Sequence, residues 1–449
     1  MVIGMRSKEH IKTVILALLV LMSLVLTYMT WKFTPDLQTV DKEANKDHAS
    51  QSIGKTNNVD MSEVITPYQI IYSKADHPEG MVASRQNVST VLKPLKNQHV
   101  THSDQMHSDH NLIIPDLTDE FLVLDFTYDM PLATYLGDVL NISAKVPSNF
   151  KFNRLLIDQS HDNKIQLYAI SKNRHDVVRM TLSSKASSVN KTVAALKKDM
   201  EPYSEMITNK DTIDSATHIF APKSPKHLKS YRTIYNHISV DKMNSVLFDD
   251  SVVVRSAKNG ATTYNNNTGV ANYDNKTEKY KYNNLSEDKA TSKNMHETIP
   301  GTFDYINEHG GFTDDFRLFH TDNKSGELTY QMFLNGRPTF NSGDLNTVKV
   351  SRSEDGIYSY ARALLKSNVT IDSGEKDEKL QGAEKVRSAL ANNPNIDFEK
   401  VNNITIGYKR VDQPDKDDIE VQRNSEFKPH WYIEYDGKWY AYDNDGGLE

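Results

Sequence analysis

The stretch HWYIEYDGKWYAYD, His430–Asp443, decides the class of fold. Asp-Gly supplies the positive φ angles that a two-residue hairpin turn requires. A turn at Asp436-Gly437 sets Tyr435 opposite Lys438, Ile433 opposite Tyr440 and Trp431 opposite Tyr442, which lines one face with aromatic and β-branched side chains. Such a face is a platform for sugar rings less often than a sheet face under a helix, so burial is expected. Asn259-Gly260, Asn335-Gly336, Asp355-Gly356 and Asp445-Gly446 repeat the turn signal and also lie in the C-terminal half. That half is therefore predicted to be rich in antiparallel sheet. Ile357, Tyr360, Ala361, Leu364 and Leu365 form an apolar stripe that predicts a helix. A shorter helix near Glu384–Ala391 should stop at Asn392-Asn393-Pro394. Hairpins and helices in mixed order indicate an α+β fold with antiparallel sheets.

Upstream, three short apolar runs, Phe152–Ile157, Lys164–Ile170 and Val177–Leu182, are separated by turn-forming residues and read as strands. Val189, Val193, Leu196 and Met200 then recur at steps of four, three and four, a helix ending before Pro202. These elements place a first α+β domain at 61–237. Residues 32–60 are mostly polar and read as a flexible stalk.

The stalk hangs from TVILALLVLMSLVLTYMTW, Thr13–Trp31, which carries no charge. As a helix it spans about 28 Å, close to the ~30 Å hydrocarbon core of a bilayer. A signal peptide has a shorter apolar region and a small-x-small cleavage site, whereas this stretch exits through Tyr28, Trp31 and Phe33. The expectation is an uncleaved transmembrane anchor at 13–31. Arg6, Lys8 and Lys12 precede the span, and Asp36, Asp41 and Glu43 follow it. The positive-inside rule then puts 1–12 in the cytoplasm and the bulk of the chain outside the cell.

Four of the 53 Lys and Arg residues and one of the 60 Asp and Glu residues precede Asp36, so the part outside is acidic. That balance argues against nucleic acid as a partner. The chain has no cysteine, hence no disulfide and no thiol chemistry. A cysteine-free exported chain rich in Lys, Asn and Asp points to a bacterium.

Residues that could carry chemistry are few. HVTHSDQMHSDH offers His99, His102, His107 and His110 with Asp104 and Asp109, but no apolar frame would fix the rings, and the segment reads as a solvated loop. His296-Glu297 begins like a zinc-protease helix, yet the second histidine is missing and Pro300 is expected to break the helix. Ser-x-x-Lys recurs too often to mean anything, and the chain has no Gly-x-Ser-x-Gly elbow. The residues offer no catalytic set, no cofactor site and no metal site, and the protein is expected not to be an enzyme.

One resemblance runs the length of the chain. MRSKEHIKTVILALLVLMSLVLTYMTWKFTP (5–35), SVLFDDS (245–251), FDYINEHGGFTDDFRLF (303–319), LTYQMFLNGRPTF (328–340) and the ITIGYKRV…FKPHWYIEYDGKWYAYD tail (404–443) resemble YycH-type proteins of staphylococci and related Gram-positive bacteria. The resemblance implies a single-pass membrane protein working with a YycI-type protein to control WalK, the sensor histidine kinase of a WalK/WalR two-component system for the cell wall. It also implies two YycI-like, PepSY-like C-terminal modules, which sets a middle domain at 238–358 and a C-terminal domain at 359–449. It carries no catalytic residues.

A kinase that is itself a membrane protein gives the span a second role. At about 100° per residue, Thr13, Ala17, Ser23, Thr27 and Thr30 fall within an arc of ~140°. Small and hydroxyl residues let helices approach closely in a bilayer, which makes this the expected partner-contact face. The alternatives are a metal-dependent cell-surface hydrolase using the histidines, or a passive binder of cell-wall or lipid precursors.

Overall fold

The computed structural model describes residues 3–32, 38–40, 52–54, 59–108, 114, 117–161, 163–171, 175–207, 218–248, 253–258, 260–286, 294–341, 343–353, 356–412, 424–443 and 446–449. Within 3–40, side chains are described only for Lys12–Tyr28. Two large sheets organise these residues.

The N-terminal sheet has nine strands. Their order is His218–Pro222, Glu201–Ile207, His77–Val82, Gln69–Lys74, Glu120–Pro131, Lys151–Asp158, Gln166–Ile170, Asp176–Leu182 and Val100–His107. The three strands expected from the apolar runs are consecutive neighbours within it. One face carries Ile70, Leu122, Leu124, Leu155 and Ile157, which share a core with Val88 and Val91 of helix Arg85–Leu92 and with Val189 and Val193 of helix Ser187–Leu196. The apolar spacing of the second helix is as expected up to Leu196; Met200 lies beyond its end, in extended backbone. The other face, with Ile71, Val123, Leu156 and Tyr168, packs against Tyr203 and Phe220. Those two rings come from the last two strands of the same sheet, so the sheet curls over its own face.

The second sheet has fifteen strands. Gln38–Val40 pairs with Val253–Lys258, and a meander continues through Ala261–Asn265, Gly269–Asp274 and Lys279–Asn284 to Ile357–Ala363, Thr347–Arg352 and Glu327–Leu334. Phe316–Asp322 pairs with Glu327–Leu334 to one side. The path then passes through Arg337–Phe340, Val401–Asp412, Asn424–Tyr435, Tyr231–His237 and Leu365–Asp372, with Lys438–Ala441 paired to Asn424–Tyr435. Tyr231–His237 and Leu365–Asp372 are antiparallel neighbours, and Ile238 N donates to Leu364 O at 2.8 Å, so residues 239–363 leave and return at one point.

The hairpin at the C-terminus forms in the expected register. Tyr435 opposes Lys438 and Ile433 opposes Tyr440, and Tyr442 N donates to Trp431 O at 3.0 Å. Asp436 and Gly437 take φ of 49° and 75°. Trp431, Ile433 and Tyr442 are buried with Ala383, Val386 and Leu390 of helix Ala383–Asn392. The Trp431 indole N–H donates to Gln381 O at 3.0 Å. Asn335-Gly336 forms the same kind of turn at φ of 49° and 76°. Gly260 and Gly446 also have positive φ, while Asn259, Asp355 and Asp445 lie outside the described residues.

Four expectations need correction. The stripe Ile357, Tyr360, Ala361, Leu364 and Leu365 is not a helix: Ile357–Ala363 is a strand between Lys279–Asn284 and Thr347–Arg352. The helix-like spacing arises because the stripe runs past the end of this strand, through a bend at Leu364, into Leu365 of the next strand. The helix Met295–Glu308 runs through Pro300. The histidine segment is a strand, Val100–His107, rather than a loop, with His110 outside the described residues. The 32–60 stretch is not free chain throughout, because Gln38–Val40 is paired and Ile53 is buried, its N–H donating to His309 O at 2.8 Å.

Candidate functional site

The register of the N-terminal sheet sets Gln69 opposite Asp125 and Asp125 opposite Arg154, a polar row across three neighbouring strands. Directly opposed residues share a face, so this row lies inside the curl beside Ile71 and Leu156. Arg154 Nε donates to Asp125 Oδ1 at 2.5 Å and Nη2 to Oδ2 at 3.1 Å. The same Nη2 donates to His218 O at 3.1 Å, and the guanidinium carbon lies 5.4 Å from the centre of the Phe220 ring. Burial alone would pull the Arg154 pKa down, but the Asp125 carboxylate more than reverses this, so the cation persists. The arginine thus stitches the returning strand His218–Pro222 onto the face it covers.

The row continues into the second sheet. Gln69 Nε2 donates to Asp125 Oδ2 and to Tyr68 OH, each at 2.9 Å, and Tyr68 OH donates to Asn403 Oδ1 at 3.0 Å. Asn403 Nδ2 in turn donates to Glu434. Burial, with the Asp125 charge behind it, pushes the Tyr68 hydroxyl well above its ordinary range and keeps it a donor. A cavity of about 110 Å³ lies here, lined by Thr127, Arg154, His218, Asn403 and Glu434 among others. Further along the junction, fully buried Arg317 donates from Nη1 to Ala83 O at 2.6 Å and from Nη2 to Asp315 Oδ2 at 2.8 Å. Phe319, Phe333 and Tyr68 form an apolar cluster beside it. Tyr68 to Asn403 and Arg317 to Ala83 O are bonds that cross between the two parts, and their protons are committed to fixed acceptors.

Asp158, Ser160 and His161 sit at the end of strand Lys151–Asp158 and include the three side-chain types of a hydrolase triad. Their geometry is wrong for one. His161 Nδ1 is 2.8 Å from both Ser160 Oγ and Asp158 Oδ2, whereas a triad needs the serine on one ring nitrogen and the carboxylate on the other. Ser160 Oγ also bonds Asp158 directly at 2.6 Å, which identifies a side-chain-closed turn.

Of the sequence-nominated histidines, His102 and His107 lie on the outer strand Val100–His107 and His99 just precedes it. His102 and His107 are five positions apart, about 16 Å in extended chain. His107 Nδ1 contacts Asp176 Oδ1 at 2.8 Å, and Asp104 is held by Arg179 through two bonds of 3.0 Å each. Among the described residues no three His, Asp or Glu side chains converge as a metal would require. His296 Nδ1 meets the Thr134 hydroxyl.

Thr13, Ala17, Ser23 and Thr27 lie on helix Ile3–Lys32, with the side chain of Thr30 outside the described residues. Thr27 Oγ1 donates to Ser23 O at 2.8 Å, within the helix. Every described large apolar side chain from Val14 to Leu26 is more than half exposed. Among the described residues, which stop at Tyr28 for this helix's side chains, no helix is long and apolar enough to cross a membrane.

Two mostly antiparallel sheets joined by buried polar side chains, with an N-terminal helix whose apolar side chains are exposed, make an α+β protein with no assembled catalytic set among the described residues. Comparison with known proteins identifies the family. The profile of the YycH protein N-terminal domain matches residues 9–200, and that of the C-terminal domain matches 216–445. The chain belongs to the YycH family. It is 23% identical, over 96% of its length and 95% of the relative's, to the two-component system WalR/WalK regulatory protein YycH of Bacillus subtilis (strain 168). The crystal structure of YycH from Bacillus subtilis superposes with a TM-score of 0.66 at 16% identity, covering 87% of this chain and 98% of that one.

Arg154, Asp125 and Arg317 were not singled out in the sequence. A signal did exist: an arginine inside each of the apolar runs KFNRLLID (151–158) and FRLF (316–319) needs a buried acceptor.

Proposed function

We propose that this protein is a membrane-anchored accessory regulator of a WalK-type sensor histidine kinase in a WalK/WalR two-component system. It works by protein–protein contact, together with a YycI-type protein, and uses no cofactor and no catalytic centre. Residues 13–31 span the cell membrane, residues 1–12 are cytoplasmic, and the two sheets lie outside the cell. Family membership and the name of the Bacillus subtilis relative support the regulatory role. The anchoring rests on one observation above all: the apolar side chains of helix Ile3–Lys32 are exposed along its described length, which water does not tolerate and lipid does. The face bearing Thr13, Ala17, Ser23, Thr27 and Thr30 meets the kinase's own helix, and differential contact with its two signalling states biases their populations.

The test is photocrosslinking in living cells from Ser23 and from the exposed ectodomain residue Leu285, with mass spectrometry of the captured proteins and of the N-terminus. Capture of a sensor kinase from Ser23, on a chain that still carries residues 1–31, is expected. A mature chain starting beyond Trp31, or no kinase captured from either position, overturns the reading.

A further inference from the structure

A cavity of about 220 Å³ lies where a hairpin of the second sheet meets the N-terminal sheet. Glu201 opposes Gly80 and Tyr203 opposes Pro222 on neighbouring strands, so these four residues share one face and form its wall. A Cβ on Gly80 would fall 2.6 Å from the Tyr203 ring, so the ring settles there only over a glycine. Pro225 and Lys226, just beyond strand His218–Pro222, extend the wall, and Met81 and Asp199 complete it. Arg337 comes from the other sheet. It follows the Asn335-Gly336 turn, whose tip is pressed onto the N-terminal sheet: a Cβ on Gly336 would lie 2.6 Å from Val82 Cγ1 and 2.8 Å from Ser84 N. The docked tip holds Arg337 at the cavity.

The polar groups around this space lack partners. Half-buried Arg337 makes no hydrogen bond or ion pair among the described residues, and neither does the hydroxyl of Tyr203, which is 8% exposed. Burial pushes the Tyr203 hydroxyl up to about 12, against the opposing Arg337 charge, so it remains a donor at neutral pH. Native proteins rarely leave such donors idle. Two donors, one of them cationic, complement a carboxylate or a phosphate. The outer groups decide between these. Asp199, Glu201 and Lys226 are exposed and make no ion pair among the described residues, a net negative rim that repels a dianion and attracts an ammonium. Met81, Pro222 and Pro225 offer apolar surface between the two ends. The volume is below the ~300–1,000 Å³ of drug-sized sites and suits one or two amino-acid residues.

We propose that this cavity binds a free amino acid or a dipeptide, with its carboxylate on Arg337 and Tyr203, its apolar side chain against Met81, Pro222 and Pro225, and its ammonium towards Asp199 and Glu201. The occupant touches both sheets at once, so it favours the arrangement in which the hairpin tip is docked. That makes the junction a ligand-sensitive element. The site depends on the packing of the two sheets and on neither the membrane anchor nor the kinase.

The test uses full-length protein in detergent micelles. The probes are the common amino acids, and dipeptides of alanine followed by each of them, at about 10 mM. At least one apolar member is expected to raise Tm by about 2 °C or more, as a roughly tenfold excess over Kd requires. For that ligand, calorimetry should show at least about tenfold weaker binding to Arg337→Gln, and the same loss when its carboxylate is amidated. Tyr203→Phe should weaken it about threefold or more. Glu201→Gln should weaken the free ligand but not its N-acetyl form, which carries no ammonium. Without ligand, Arg337→Gln and Glu201→Gln should melt within about 2 °C of wild type, since neither residue has a partner to lose. No shift with any probe overturns the proposal, as does equal binding by Arg337→Gln or of the amide. Inorganic phosphate binding as tightly as the best probe also overturns it, because the site is then a general anion pocket.

Discussion

Arg154→Met tests the reading of the curled sheet as a structure held by one buried charge pair. The substitution keeps an unbranched apolar stem and removes the guanidinium. Asp125, 3% exposed, is then a buried carboxylate whose remaining side-chain donor is Gln69. Deleting one member of a buried pair costs about 3–5 kcal/mol, because the survivor stays desolvated. Loss of the cation from above Phe220 adds up to about 1 kcal/mol. A cooperative unit of 150–250 residues shifts by about 2–4 °C per kcal/mol, so a fall in Tm of about 6–24 °C is expected. The assay is thermal and urea unfolding of the full-length protein in detergent, followed by circular dichroism in the strand region, which give the Tm shift and the free-energy cost. Removing both charges, in Asp125→Leu with Arg154→Met, should recover most of the loss, since an apolar pair incurs no desolvation penalty. A cost below about 1 kcal/mol for Arg154→Met, or a double variant as unstable as the single, would refute the reasoning.

Other outcomes follow from features already described. Ser23→Leu with Thr27→Leu should weaken capture of the kinase roughly three- to tenfold, since two interhelical bonds average about 0.6 kcal/mol each, while Met22→Leu with Leu26→Ile should leave it unchanged. Equal capture by both pairs, in a truncated chain ending at Asp36, would show that the wrong face was chosen. Changing His99, His102, His107 and His110 together to Asn should leave signalling as in wild type; a response like that of a deletion strain would restore the metal reading. Burial of Asp158 would raise its pKa, but bonds from Ser160, Thr118 and His161 prevail and lower it. A depressed carboxylate contributes stability that is present above its unfolded-state pKa and disappears as pH falls through the folded value. Asp158→Asn should therefore lower Tm at pH 7 and flatten its decline on acidification below pH 4, which thermal unfolding from pH 7 to 2.5 will measure.

The sequence was most informative where a single turn fixed everything around it. Asp436-Gly437 determined both the register and the buried face of its hairpin, and Val189, Val193 and Leu196 announced a helix lying on one sheet face. It was least informative where tertiary pairing set the outcome. Ile357–Ala363 carries two alanines and runs into Leu364-Leu365, a stretch that suits a helix, yet two flanking strands capture it and Leu365 opens another strand. Pro300 stays within a helix because Thr298, Ile299, Thr302 and Phe303 are buried around it and hold the turn in place. Residues 158–161 contain three functional side-chain types in a row, and only the distances reveal that one ring nitrogen serves both neighbours. The family resemblance covered the whole chain but could not indicate that Arg154 would tie the curled sheet to itself, or that Arg317 would reach across to Ala83.

The meeting of Ile238 and Leu364 has a consequence for how the chain is made. Strand Tyr231–His237 finds its partners in 365–372 and 424–427, all synthesised later than itself. The strands from Val253 to Ala363 pair largely among themselves, so that block can close while its flanks are still incomplete. It then sits as a finished knot of chain at the end of an unpaired stem. The stem zips only when the strand beginning at Leu365 emerges, and the long hairpin of Val401–Asp412 with Asn424–Tyr435 completes it. The last stretch made, ending in the hairpin at Asp436-Gly437, is thus the latch for a module that began more than a hundred residues earlier, and a chain cut short before it leaves a bare strand edge open to other chains.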